Sequence, residues 1–346
     1  SKRAILVEGY ERQNLLTCEL GDDNILFLLY KDFSLVKIDL QTGKTENIIS
    51  LDPAALTSTS NFNIYVSKNN EYLAITWARV CVGADVSRGV VISTNDGHVQ
   101  MHLDNGYYHT DVATFPVCFA VYKRKTVIVH ATEWNRLDVT DVESQKVLTQ
   151  RNFANIPHVS KDYKYGLTEW PGIMKASPAS DKIAVQGWLW HPIGTFYSFS
   201  LKNWLEMNPW ESDHIPERYI YSQMEGWHYP FCWIDDTRVC ISENGFDSEA
   251  PFSTSIFDTE TGECLLKFIG PAPELFFFDK FLFSGLKKDD VFVDGLTIWS
   301  VEDGQLLYQQ EQFPEINHYN PTTKEFISLG DSGQIELIKW SYNYNS

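Results

Sequence analysis

Apolar and polar positions alternate in short runs along nearly the whole chain. Val90-Val91-Ile92, Val127-Ile128-Val129 and Ile335-Glu336-Leu337-Ile338 are typical, and Gly, Asn, Asp or Pro soon interrupts each run. Such runs predict β-strands joined by tight turns. Helical signals are confined to two short places. Asp52-Pro53-Ala54-Ala55-Leu56 has an Asp cap and a first-turn proline, and Ser200–Met207 predicts a second short helix.

One hairpin recurs. Leu35–Lys44, Val90–His98, Leu137–Gln145, Ser255–Glu263 and Leu296–Gln305 each read as a strand, a tight turn and the start of a returning strand, with Phe196–Leu205 as a divergent copy. The turn-glycine position falls at Gly43, Gly97, Gln145, Trp204, Gly262 and Gly304, a recurrence of about 50 residues that marks a radial repeat. Two further strand candidates precede each hairpin, as Phe62–Ser67 and Tyr72–Trp77 precede the second. Four strands per repeat make one propeller blade. The last repeat supplies only three, Ile316–Tyr319, Glu325–Leu329 and Gln334–Trp340, while Arg3–Gly9 has no neighbour of its own to pair with. The expected fold is therefore all-β: one domain over 1–346, a seven-bladed β-propeller of four-stranded antiparallel blades. Residues 3–9 close the last blade, and the blades fall near 14–51, 61–104, 115–152, 173–210, 227–270, 275–310 and 316–340. Closure of this kind removes an exposed sheet edge.

The hairpin copies resemble the third and fourth strands of WD-repeat and YVTN-type propellers. The pairs Trp299-Ser300, Phe257-Asp258, Ile38-Asp39 and Thr140-Asp141 stand where that family has its Trp-Asp dipeptide. The likeness spans nearly the whole chain and is one of architecture. No blade has the family's Gly-His dipeptide in the corresponding place, and the chain has no Gly-Gly of the kelch type. The resemblance implies binding surfaces on the faces of a ring, and no particular reaction.

Charge narrows the partners. With 28 Lys and Arg against 46 Asp and Glu, the chain carries a formal charge of −18. That balance disfavours nucleic acid, whose phosphates are met by Lys and Arg, and favours a protein with a basic surface. No stretch approaches the roughly 20 apolar residues that span a bilayer, so no membrane partner is expected. The apolar run after Lys2-Arg3 is too short for a secretory core. The six cysteines form no C-x-x-C pair and sit mostly in strand-like contexts. Together with the absence of Asn-x-Ser/Thr acceptors, this points to a cytoplasmic protein.

Candidate chemistry is sparse. Gly330-Asp331-Ser332-Gly333 spells a serine-nucleophile motif but falls between two expected strands, where Asp-Ser-Gly is ordinary turn chemistry. His98 and His102 lie four apart on a strand, about 13 Å, too far to share one zinc ion. His109 and Asp111 lack a third ligand. No catalytic, metal or cofactor site is expected.

Aromatics offer more. Seven of the 11 Trp fall between 170 and 233. Trp188, Trp190 and Trp233 suit blade cores, whereas Trp170, Trp210 and Trp227 lie in polar stretches of the kind that carry interface anchors. Asn152–Gly172 and Glu206–Gly226 read as long connections between blades, and the second carries Glu206, Glu211, Asp213 and Glu217. Both connections are expected to share one face around blades three to five. The leading expectation is a non-catalytic protein-binding propeller with Trp170, Trp210, Trp227, Glu206, Glu211, Asp213 and Glu217 on its docking face, in one version an inhibitor or immunity partner of a basic protein. The alternative is an enzyme acting on a carbohydrate or small molecule at the ring axis, with carboxylates such as Glu169 or Asp111.

Overall fold

The computed structural model describes residues 1–7, 10–52, 61–79, 86–106, 114–151, 169–189, 193–213, 219–224, 230–243, 253–270, 276–278, 280–288, 291–330 and 333–340. Among these, the strands form seven four-stranded antiparallel sheets, each from strands consecutive in sequence save one. In that one, Lys2–Leu6 lies beside Gln334–Lys339, with Lys2 opposite Ile338 and Leu6 opposite Gln334. The ring is closed by its first strand, as the sequence predicts. Arg3 crosses to the buried Glu325 with two hydrogen bonds of 3.3 Å.

The recurring hairpin has one cause. The turn position is left-handed in every regular copy: Gly43 at φ 74°, Gly97 at 71°, Gly262 at 74°, Gly304 at 70° and Gln145 at 57°. Glycine adopts that region without steric cost. In three copies an aspartate four residues earlier, Asp39, Asp141 or Asp258, fixes the turn. Asp39 Oδ1 accepts from the N–H of Gln41 and Thr42, and Asp258 Oδ1 from Glu260 and Thr261. These are the Asp positions that resemble the Trp-Asp dipeptide, and here their work is to hold a turn.

Packing follows from the period of two. Along Leu26–Leu29 of blade one, Leu26 and Leu28 face blade seven, while Phe27 and Leu29 face blade two. The described core accordingly divides into seven apolar clusters, one at each interface between neighbouring blades. Successive first strands also touch, as Leu15–Leu20 touches both Asn61–Val66 and His318–Asn320, so the first strands line the axis.

Two boundaries differ from the sequence reading. The first strand of blade four begins at Glu169, which puts Trp170 in a strand rather than a connection. Its fourth strand is Tyr219–Met224, beyond the expected end at 210. A helix, Leu201–Glu206, capped by Ser200 Oγ on the Asn203 N–H, intervenes between its third and fourth strands. The short helix agrees with the sequence reading, whereas the divergent hairpin expected over Phe196–Leu205 is not formed, because the chain passes through this helix before it reaches the fourth strand.

Candidate functional site

The antiparallel order assigns each loop to a face. Connections between blades and second-to-third turns emerge on one face, here the upper; first-to-second and third-to-fourth turns emerge on the other. The segment from Glu206 to Asp213 joins a third strand to a fourth, so it leaves the lower face. Trp170, at the start of a first strand, lies on the upper. The expectation of one shared face is thereby corrected: what looked like two inter-blade connections is one connection and one insertion within a blade.

Exposure is corrected as well. Trp210, Glu211 and Asp213 are buried. Glu211 accepts from Asn203 Nδ2 at 2.5 Å and from Asn208 Nδ2 at 3.0 Å, which shapes the loop after the helix. Asp213 Oδ2 meets Arg151 Nε at 2.6 Å, and the same guanidinium reaches Asp138 at 2.7 Å and the Leu137 carbonyl at 2.9 Å. Its Cζ lies 5.9 Å from the Trp204 ring and 5.7 Å from that of Trp210. Burial pushes the Asp213 carboxyl upward, and the charge of Arg151 pulls it back. Glu206 alone of this group is partly open to water, and it holds the lower turn of blade three through Tyr122 Oη and Lys123 Nζ. The insertion is thus a strap from that turn to Arg151. Its charges and rings are spent inward because an unpaired Arg151 would be costly to bury. Trp227 and Glu217 lie outside the described residues, as do Trp190, His109, Asp111, Asp331 and Ser332.

Trp170 belongs to a stack. Its ring lies 4.1 Å from that of Trp188 at an interplanar angle of 9°, and 4.8 Å from that of Trp134 at 40°. Trp170 and Trp188 are buried, whereas Trp134, on the second-to-third turn of blade three, is half-buried. Beside it Glu133 is 64% exposed. Sequence reasoning passed over Trp134; the tight Glu133-Trp134-Asn135 turn was the available signal.

At the axis the first strands of blades one and seven bring together Cys18, Glu19 and His318. Cys18 Sγ is 3.3 Å from His318 Nε2, and His318 Nδ1 is 3.8 Å from Glu19 Oε1. Burial pushes Glu19 up to about 7, against the charge of Lys175 on blade four. Burial also lowers His318 to about 4 and raises Cys18 to about 12. Proton transfer from that thiol to that imidazole runs steeply uphill, so the trio lacks the thiolate a nucleophilic pair requires. Among the described residues no three His, Cys, Asp or Glu side chains are arranged to hold a metal ion, and no helix is long and apolar enough to cross a membrane.

Comparison with solved structures places this geometry. The Myceliophteria thermophila Cps50 (Swd1) beta-propeller domain superposes with a TM-score of 0.56 at 13% identity, covering 99% of this chain and 100% of that one. A chain of the Mitotic Checkpoint Complex gives 0.59 at 9% identity, covering 98% and 91%. By fold, the chain is a seven-bladed β-propeller. No family model matches the sequence, and no curated protein does. At these identities the likeness is one of fold.

Proposed function

We propose that this WD-repeat-like propeller is a non-catalytic binding module, and that a protein partner with a basic surface docks on its upper face around blades three to five. The observation that supports this reading is Trp134. It is the half-buried end of a row of three Trp rings, tilted on the stacked pair Trp170 and Trp188, beside the exposed carboxylate of Glu133. A preorganised aromatic with a neighbouring carboxylate suits a partner's Arg or Lys, which stacks on the ring and pairs with the charge. The chain's charge of −18 steers such a partner from a distance. That a solved neighbour belongs to a complex agrees with a protein-binding role. Trp227 and Glu217 stay in the proposal as candidates, and an inhibitor or immunity partner of a basic protein is one form it takes.

The test is crosslinking of the chain to a protein captured from its source cells, followed by mapping of the crosslinked residues. Crosslinks around 133–136 and capture that weakens with salt and with Trp134→Ala support the reading. Crosslinks confined to the lower turns, with capture indifferent to salt, overturn it.

A further inference from the structure

Cys232 and Cys240 stand directly opposite one another on the first and second strands of blade five, Phe231–Trp233 and Arg238–Glu243. Two backbone hydrogen bonds bracket them, Ile234 N–H to Arg238 O at 2.9 Å and Ser242 N–H to Pro230 O at 3.0 Å. Because bonded and non-bonded pairs alternate along an antiparallel ladder, Cys232 and Cys240 are a hydrogen-bonded pair, with Cα atoms about 5.5 Å apart. That separation lies within the range a disulfide spans. Both side chains point to the same side, into the interface with blade six among Ile234, Ile256, Leu282 and Val301. Both cysteines are reduced here.

We propose that Cys232 and Cys240 are a reversible dithiol–disulfide site that staples the inner edge of blade five. The oxidant is a disulfide of the glutathione class. The Cys232 thiolate attacks one sulfur of oxidised glutathione and expels the first glutathione thiolate. The Cys240 thiolate then attacks Cys232 Sγ and expels the second. One S–S bond breaks and one forms, the two glutathione sulfurs are reduced, and the two protein protons end on them. Cys232 is the entry point because it is 8% exposed, against 0% for Cys240. Burial, reinforced by the neighbouring Cys232, holds the Cys240 thiol well above its ordinary value, so exchange in the folded protein is slow and quickens with alkaline pH. Directly opposed Cβ atoms stand about 4.5–5.5 Å apart, and a disulfide wants about 3.8 Å. Closing the bond draws two strands together, and strained bonds of this kind are readily reduced. The stapled strand is only three residues long and follows the connection that carries Trp227.

The experiment incubates the whole chain with oxidised glutathione, quenches with acid, unfolds and alkylates. Trypsin cuts after Arg238 and a glutamate-specific protease after Glu243, which isolates Cys240 from both Cys232 and Cys264. The expected product is a crosslinked peptide pair holding Cys232 and Cys240, lighter than the two free peptides by two hydrogens. It disappears on return to reduced glutathione. The exposed Cys264 is the internal control for access, and Cys264→Ser removes it as a competitor. Alkylation of both Cys232 and Cys240 after Cys264 has fully reacted overturns the proposal. So does a crosslink that joins either of them to any other cysteine.

Discussion

Arg151 Nε and Asp213 Oδ2 meet at 2.6 Å although 62 residues separate them in sequence, and their side chains are 1% and 5% exposed. This contact ties the insertion of blade four to the outer end of blade three. Asp138 shares the guanidinium from the blade-three side, at 2.7 Å and 2% exposure. Two carboxylates share this arginine, and Asp138 also meets Arg136 Nε at 2.7 Å, so Asp213 is the member that depends on Arg151 most.

Removing Arg151 therefore costs more than removing Asp213. Arg151→Met strands the buried Asp213, takes one of two cations from Asp138, which keeps Arg136 Nε at 2.7 Å, and is expected to lower stability by about 3–5 kcal/mol, while Asp213→Asn keeps Asp138 on the arginine and costs about 1–3 kcal/mol. The double variant falls short of the sum, since the second substitution removes a charge already orphaned. Urea unfolding of the four proteins measures the cycle, and additive losses would show that the pair is not coupled.

The closing strand makes a position-specific prediction. The bonds Val7 N–H to Gly333 O and Lys339 N–H to Ser1 O place Ser1, Arg3, Ile5 and Val7 in hydrogen-bonded pairs with the last blade. Ile5→Pro removes a ladder donor and is expected to lower the melting point clearly. Leu6→Pro, at a residue 74% exposed and on the alternate position, loses no such bond and costs far less. Thermal melts of the two variants make the comparison, and equal melting points would exclude this register.

Much of this ring is legible in the sequence for a physical reason. A closed repeat buries both faces of its central strands, so apolar runs such as Leu26-Phe27-Leu28-Leu29 and the left-handed turn position recur in register. The docking residues were harder to read, because polarity of the surrounding sequence stood in for exposure. Trp210 and Asp213 are flanked by polar residues, yet those residues pair with each other inside the strap: Asn203 with Glu211, Arg151 with Asp213. An arginine 62 residues distant leaves no local trace. Trp170 was misplaced by a boundary, since Pro171 and Gly172 read as loop and lie instead in a strand whose register shifts between Pro171 and Met174. The axial trio was missed because two strands from opposite ends of the chain assemble it.

The turn glycines are not equivalent. A Cβ on Gly97 would sit 2.3 Å from the Ile48 carbonyl oxygen, whereas one on Gly262 meets nothing within 4 Å. Gly262→Ala carries only the left-handed backbone cost of about 1–2 kcal/mol. Gly97→Ala adds a backbone collision with blade one and is expected to cost clearly more. Gln145 occupies the matching turn in blade three at φ 57°, so Gln145→Gly relieves strain and gains about 0.5–1 kcal/mol. Denaturant midpoints rank the three, and a Gly97→Ala loss equal to that of Gly262→Ala would show that blade one yields freely.

The axial pair contributes to how stability varies with pH, and its two members act in opposite senses. His318 falls from 6.5 to about 4 because burial disfavours the imidazolium. A depressed base binds its proton more readily in the unfolded chain, so its contribution is complete above pH 6.5 and is lost as pH falls toward about 4. Glu19 rises from 4.5 to about 7, so its contribution is complete below pH 4.5 and is lost as pH rises through about 7. Glu19→Gln removes that alkaline loss. It is expected to stabilise the protein at pH 8 and leave it unchanged at pH 4, by only about 1 kcal/mol because water reaches 39% of the side chain. His318→Gln, whose side chain carries no charge at any pH, removes the acid loss and makes unfolding between pH 6.5 and 4 less steep, by about 2–3 kcal/mol across the window. Urea midpoints at pH 4, 6 and 8 for the wild type and both variants separate the two groups. Parallel pH profiles for all three proteins would place the titrating groups elsewhere in the ring.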